Sequence, residues 1–227
     1  MPKFHDKTIP GESAAYRDAR DNLLEAELEL RRQVETVAAL RRALPPGGAL
    51  KEDYVFDEQD ASSNVTQTRL SELFEDGKSS LVLYSLMYGP GDSPCPMCSA
   101  MLDGLDGNVP HINDRTNIAV VGKADIDTLQ AFAAGRGWTN HRLLSSSNNR
   151  YNADYWGENA EGAQMPSLNV FTRAPDGIFH SYHTETMFAS AEDGQDTRHI
   201  DMLWPLWNLL DLTPEGRGGW RPSVSYE

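Results

Sequence analysis

Cysteine is nearly absent from this chain: Cys95 and Cys98 are its only two in 227 residues. A disulfide within the chain can therefore only join that pair, which excludes a multiply cross-linked scaffold. Lysine is scarce as well, five of 20 basic residues, and the formal net charge is −14. A surface of that sign repels phosphate backbones and anionic headgroups, so neither nucleic acid nor a membrane is an expected partner. No apolar run approaches the roughly 18 residues of a membrane span, and Met1-Pro2-Lys3-Phe4-His5-Asp6 has no apolar signal core. The expected location is cytoplasmic. A phosphate-cradling loop is missing too, because Gly89-Pro90-Gly91 is not followed by lysine. Internal repeats and low-complexity tracts are likewise absent. What remains, 39% apolar and 24% charged residues, is the composition of a folded chain long enough for one sizeable core with extensions.

From about Ser13 to Leu44 the pattern is helical. Leu23, Ala26, Leu30, Val34, Val37, Leu40 and Leu44 recur at steps of three or four and line one face. Glu27 and Arg31 are spaced to pair, and Pro45-Pro46-Gly47-Gly48 stops the helix. Such a stripe suits either a homodimer formed through this helix or a helix folded onto its own domain. The expected division is a helical extension at 1–48, an α/β domain at 49–212 and a polar tail at 213–227.

Within the domain, strands are expected at 53–57, 81–87, 117–121, 142–145, 167–172 and 178–183, with 58–68 a polar loop. Helices are expected at 69–74, 96–106, 125–134 and 199–210, the last broken or bent at Pro205. The near-continuous apolar run 81–87 reads as a central strand buried on both faces. Strands alternating with helices imply parallel pairing, and Asp176-Gly177 closes an antiparallel hairpin. The long polar loop 146–164 carries Tyr151, Asp154, Tyr155 and Trp156, candidates to line a pocket or simply loop polarity. His180 and His183, three apart on one strand, should face opposite sides.

Cys95-Pro96-Met97-Cys98 sits between a buried strand and a helix, where thiol–disulfide chemistry places its cysteines. At the helix N-terminus, the Cys95 sulfur would face the free N–H groups of Met97 and Cys98. Pro96 suits the first turn because its missing N–H would be unpaired there anyway. The helix end favours an anion by about 0.3–1 kcal/mol. A carboxylate about 7 Å away, from Asp92, Asp103 or Asp106, opposes it by roughly 0.6 kcal/mol. The two nearly cancel, so the acidity of Cys95 stays open. The roles that follow are Cys95 as nucleophile and Cys98 as resolving thiol, against two inert thiols on an inherited fold. One Cys-x-x-Cys supplies two ligands where structural zinc wants four, and His111, His180, His183 and His199 show no paired spacing, so no metal is expected. A peroxide-reducing cysteine of the peroxiredoxin pattern would have threonine three residues before it, and position 92 is aspartate. No cofactor is called for.

With these residues in place, the chain from about Tyr54 to Leu210 resembles the thioredoxin superfamily. The resemblance rests on Cys95-Pro96-Met97-Cys98 after a buried strand and on Met165-Pro166 before the hairpin. More closely, the chain is similar to a bacterial family of thioredoxin-like proteins known as a domain of unknown function. The shared features are the N-terminal helix, Leu44-Pro45-Pro46-Gly47-Gly48, Met87-Tyr88-Gly89-Pro90, Gly137-Trp138, Tyr151-Asn152-x-Asp154-Tyr155, Val170-Phe171, Asp176-Gly177-x-Phe179-His180 and Leu210-Asp211-Leu212-x-Pro214-x-Gly216-Arg217. The resemblance implies a three-layer α/β fold around a mixed sheet, with a long N-terminal helix added. It implies a thiol–disulfide oxidoreductase acting on a protein or small-molecule thiol or disulfide. Pro96, Met97, Met165 and Pro166 would shape the substrate groove, with Pro166 at the position of the fold's cis-proline. The chain departs from ordinary thioredoxins, which have Cys-Gly-Pro-Cys and a buried aspartate on the preceding strand; residues 81–88 contain no carboxylate. The alternative is a non-catalytic binding module that uses the aromatic loop 151–156.

Overall fold

The computed structural model describes residues 4–216 and 218–226. Lys3, Arg217 and the outermost ends of the extension and tail lie outside them. The chain divides into two compact units, Met1–Pro45 and Pro46–Glu227.

The first unit holds α1 (Ala14–Arg42). Ser13 caps it, its hydroxyl accepting from the Tyr16 N–H at 3.2 Å. Its charged pairs include Arg17–Asp21 and Glu29–Arg32, but among the described residues not the Glu27–Arg31 pair that spacing suggests. Leu23, Leu30, Val34 and Leu40, on the apolar stripe, are exposed.

The second unit is built on a seven-stranded mixed sheet. Its elements are β1 (Val55–Gln59), β2 (Val65–Arg69), β3 (Ser80–Leu86), α2 (Pro96–Asp106), α3 (Val109–Asn113), β4 (Asn117–Gly122), α4 (Ile126–Arg136), β5 (Leu143–Ser145), α5 (Tyr151–Asp154), β6 (Ser167–Ala174), β7 (Gly177–His183) and α6 (Pro205–Leu210). The strand order is β2-β1-β5-β4-β3-β6-β7. β3 runs parallel to β4 and β4 to β5, while β6 and β7 form the antiparallel hairpin beside β3. This is the thioredoxin-like arrangement: a strand–helix–strand unit and a hairpin sharing a central strand.

Each central strand is buried on both faces and sorts its side chains by alternation. On β3, Tyr84 and Leu86 join one core with Cys98, Met101 and Leu102 of α2. Leu81 and Leu83 join a second core, on the other face, with Tyr54, Phe56, Tyr151 and Phe171. β4 divides likewise, Ile118 and Val120 to the first and Ala119 and Val121 to the second. Two cores around one sheet make the three layers. α4 begins at the Asp125 cap and ends at Gly137, whose φ of 77° is left-handed backbone that glycine adopts without penalty.

Four expectations give way. Residues 65–69, read as loop, form β2, an edge strand whose Thr68 alone is buried, so it carries no apolar alternation. Two short helices stand where none was expected, α3 after α2 and α5 within the expected loop 146–164. The final helix starts at Pro205 rather than His199, because proline supplies no N–H and fits only the first turn. Lastly, His180 and His183 share a face. Phe171 pairs with His180, Val170 with Tyr182 and Asn169 with His183, so Ser181 is an extra residue. That β-bulge restores His183 to the side of His180.

Candidate functional site

After β3 the chain turns at Gly89–Asp92, where the Asp92 N–H donates to the Gly89 carbonyl at 3.1 Å. A Cβ on Gly89 would lie 2.6 Å from an Asp92 carboxylate oxygen and 3.3 Å from Gln164, so the turn admits no larger residue there without a shift. The Cys95 N–H then donates to the Met87 carbonyl at 3.1 Å, and the Tyr88 carbonyl accepts from Lys123 and Ala124 beyond β4. These bonds hold the start of α2 against the ends of β3 and β4.

Cys95 is the N-cap of α2, and Pro96 occupies its first turn. The Cys95 Sγ accepts from the Cys98 N–H at 3.4 Å, and the Ser99 hydroxyl, itself buried, locks the turn by donating to the Cys95 carbonyl at 2.8 Å. Cys95 is half-buried, whereas Cys98 is only 3% exposed and lies in the α2-side core. Both are free thiols.

The pair is electrostatically unequal. A hydrogen bond from the Cys98 thiol is the largest effect on Cys95. It outweighs burial and, with the N–H groups of Cys98 and Met97, lowers the Cys95 pKa to about 6. Cys98 is pushed up, first by its bond to Cys95 and then by burial. Two groups pull the other way on Cys98, favouring charge on its sulfur: the Tyr84 hydroxyl and the Met87 N–H. The carboxylates weighed against Cys95 are engaged elsewhere. Asp103 pairs with Arg136 and accepts from Trp138 Nε1 at 2.8 Å, and Asp106 accepts from the backbone N–H groups of Asn140 and His141. Asp92 is exposed.

Sequence reasoning looked for a carboxylate behind Cys98 and missed Tyr84. The signal was there: alternation along β3 puts Val82, Tyr84 and Leu86 on one face, and Tyr84 is the one hydroxyl among them.

Of the residues expected to shape a groove, Pro96 is exposed and Met97 partly buried, packed against the α2-side core. Pro166 lies one residue beyond the Ser85–Ser167 pairing, at the end of β3 from which the chain runs on to Cys95. Its peptide bond is trans, since no peptide among the described residues is cis. This corrects the cis-proline implied by the thioredoxin resemblance. The Met165 N–H donates to the Gly157 carbonyl at 2.9 Å, and its side chain lines a cavity of about 520 Å³ with Trp156 and Glu158.

The aromatic loop residues separate. Tyr151 is fully buried in the second core, edge-on to Tyr54 and Phe56. Asp154, Tyr155 and Trp156 line a different cavity, of about 320 Å³. Asp154 is tied to Lys51 Nζ at 2.6 Å and to the Tyr54 hydroxyl at 2.8 Å. Burial works against its charge, but these partners prevail and hold its pKa low. Among the described residues, no three of His, Cys, Asp and Glu converge as metal ligands. No helix among them is long and apolar enough to cross a membrane.

Comparison with known proteins gives a family and a fold. The family model described as a bacterial protein of unknown function, DUF899, matches residues 6–226. No curated protein matches. Among solved structures, thioredoxin peroxidase I of Plasmodium yoelii is 15% identical, aligned over 81% of this chain and 99% of its own, with a TM-score of 0.47. AhpC of Enterococcus faecalis is 11% identical over 78% and 98%, with a TM-score of 0.48. A PrxQ mutant of Xylella fastidiosa is 18% identical over 61% and 87%, with a TM-score of 0.42. These are likenesses of fold alone.

Proposed function

We infer that this chain, which belongs to the DUF899 family of bacterial proteins, exchanges thiols for disulfides through Cys95 and Cys98. One observation carries the reading: a half-buried, acidified Cys95 at a helix N-terminus, with a buried, protonated Cys98 hydrogen-bonded to it. The thiolate is the attacking species, and at neutral pH Cys95 is mostly thiolate while Cys98 waits as thiol.

In the first step the Cys95 sulfur attacks a substrate disulfide. One substrate sulfur becomes bonded to Cys95 and the other leaves as thiolate. That departing thiolate takes the Cys98 proton. The Cys98 sulfur, its new charge stabilised by the Tyr84 hydroxyl and the Met87 N–H, then attacks Cys95. A Cys95–Cys98 disulfide forms and the second substrate thiolate is released. The substrate is reduced by two electrons and the pair is oxidised by two. Exposed Pro96 and partly buried Met97 border the attacking sulfur, and Pro166 approaches from the neighbouring strand end; these form the groove for a protein or small-molecule partner. The same reading places the protein in the cytoplasm, where such a pair is kept reduced, and assigns the exposed stripe of α1 to pairing two copies.

The test is reduction of insulin by dithiothreitol with and without the protein. The wild type should accelerate it and Cys95→Ser should not. A wild type no faster than dithiothreitol alone, on insulin and on small disulfides such as oxidised glutathione, would contradict the reading.

A further inference from the structure

The cavity lined by Asp154, Tyr155 and Trp156 lies on the sheet face opposite the dithiol. Asn169 pairs with Leu83 and Phe171 with Leu81, all on the face away from α2, and the bulge in β7 sets His183 and His180 beside Asn169 and Phe171. Their rings are 6.5 Å apart, and both residues line the cavity.

His183 is 7% exposed, and neither ring nitrogen has a hydrogen-bond partner among the described residues. An unpaired buried polar group destabilises the fold, a cost that a ligand able to pair with it would remove. What covers it is strained. Trp156 packs edge-on against the His183 ring at 4.8 Å, stays 50% exposed, and holds a left-handed φ of 59°. That conformation is unfavourable for a residue with a Cβ, and backbone strain of this kind gathers at ligand clamps.

The chemistry of the walls selects the ligand. Asn169 donates through Nδ2 to the Tyr155 carbonyl and the Ser167 hydroxyl, so its Oδ1 accepts from His180 Nε2 at 2.9 Å. That fixes the His180 tautomer and leaves Nδ1 as a lone pair. Burial lowers the pKa of both imidazoles, so near neutral pH they are uncharged and each keeps an accepting nitrogen. Among the described residues, no lysine or arginine lines the cavity. The Asp154 charge is answered by Lys51, which leaves Glu185 as the one charge on the wall with no ion pair among the described residues. The walls therefore offer acceptors, a carboxylate and the π-faces of Tyr155 and Trp156, which together favour a cation.

We propose that this cavity binds a small organic cation with a planar or aromatic body, an amine or amidine. Its N–H groups are held by Glu185 and the neutral imidazole of His183, and its ring lies against Trp156. The proposal does not depend on the thiol reading, since the two sites occupy opposite faces.

The experiment is titration calorimetry of the full chain with benzamidine and benzylamine, with benzyl alcohol and benzoate as neutral and anionic counterparts. Saturable 1:1 binding of at least one cation is expected, with benzyl alcohol at least about tenfold weaker and benzoate unbound. Glu185→Gln should weaken cation binding about tenfold and leave the thermal melt unchanged, because the Glu185 side chain is exposed and has no ion pair among the described residues. Trp156→Ala should weaken it as well, and His183 ring resonances should shift on cation binding in the wild type. Cys95→Ser should bind as the wild type does. Benzoate binding as well as benzamidine, indifference to Glu185→Gln, or no saturable binding of either cation would each overturn the proposal.

Discussion

On the α2 side of the sheet the reactive groups are held by one another: the Cys95 sulfur accepts from the Cys98 N–H at 3.4 Å, and the Tyr84 hydroxyl favours charge on the Cys98 sulfur. On the opposite side His183 is buried with both ring nitrogens unpaired among the described residues, under a tryptophan in strained backbone. The difference separates two kinds of site. A dithiol carries its own reactants, so its resting state can be fully bonded and still be poised, one sulfur charged and the other held as acid. A binding cavity whose partner is a separate molecule leaves part of its polar wall waiting. The sheet keeps the two apart: Leu83 and Tyr84 of β3 point to different cores, and the bulge at Ser181 turns His183 to the Leu83 side.

The sharpest way to break the comparison is to remove one site and measure the other. Cys95→Ser should abolish accelerated disulfide exchange, leaving only the rate of the reductant alone, while benzamidine affinity stays within about twofold. In the reverse direction, Glu185→Gln should leave alkylation of Cys95 by iodoacetamide unchanged. A loss of both functions from either substitution would mean a single coupled site.

A smaller effect is expected at Tyr84. Tyr84→Phe keeps the ring in the core and removes only the hydroxyl on Cys98. The mixed disulfide between Cys95 and a substrate should then persist about tenfold longer, equivalent to about 1.4 kcal/mol and in line with one lost bond to a charged sulfur. Stopped-flow decay of that mixed disulfide measures it, and an unchanged lifetime would remove Tyr84 from the resolving step.

The mildest test is pH. Alkylation requires the thiolate, so its rate rises as pH rises through the pKa. With Cys95 lowered to about 6, the rate should be half-maximal near pH 6 and level by about pH 7.5. A rate still climbing past pH 8 would mark an ordinary thiol, whose pKa is about 8.5.

Much of the α2 side was legible in the sequence. The apolar run of β3, Pro96 after Cys95 and the boundaries of α2 follow from burial and helix-start chemistry, which are local. The acidity of Cys95 was not, because its largest cause is the Cys98 thiol at a distance that only the folded turn sets, and because Asp103 and Asp106 are drawn to Arg136 and to the 139–141 backbone. The other side was harder to read. A single bulge at Ser181 reverses the expected facing of His183, and nothing in the residues of β7 announces a bulge. β2 was hidden by its polar, edge-strand composition. The trans bond at Pro166 shows the limit of a family analogy applied to one position.

The central claim is that Cys95 and Cys98 trade electrons as a pair, and equilibration in glutathione buffers of graded ratio tests it most directly. After acid quenching and alkylation, mass analysis should show one two-electron transition from two alkylated cysteines to none, with a midpoint between about −300 and −120 mV. That transition should be lost in Cys98→Ser. A chain that keeps both thiols across the whole series, or that takes up glutathione without ever closing the Cys95–Cys98 bond, would contradict the account.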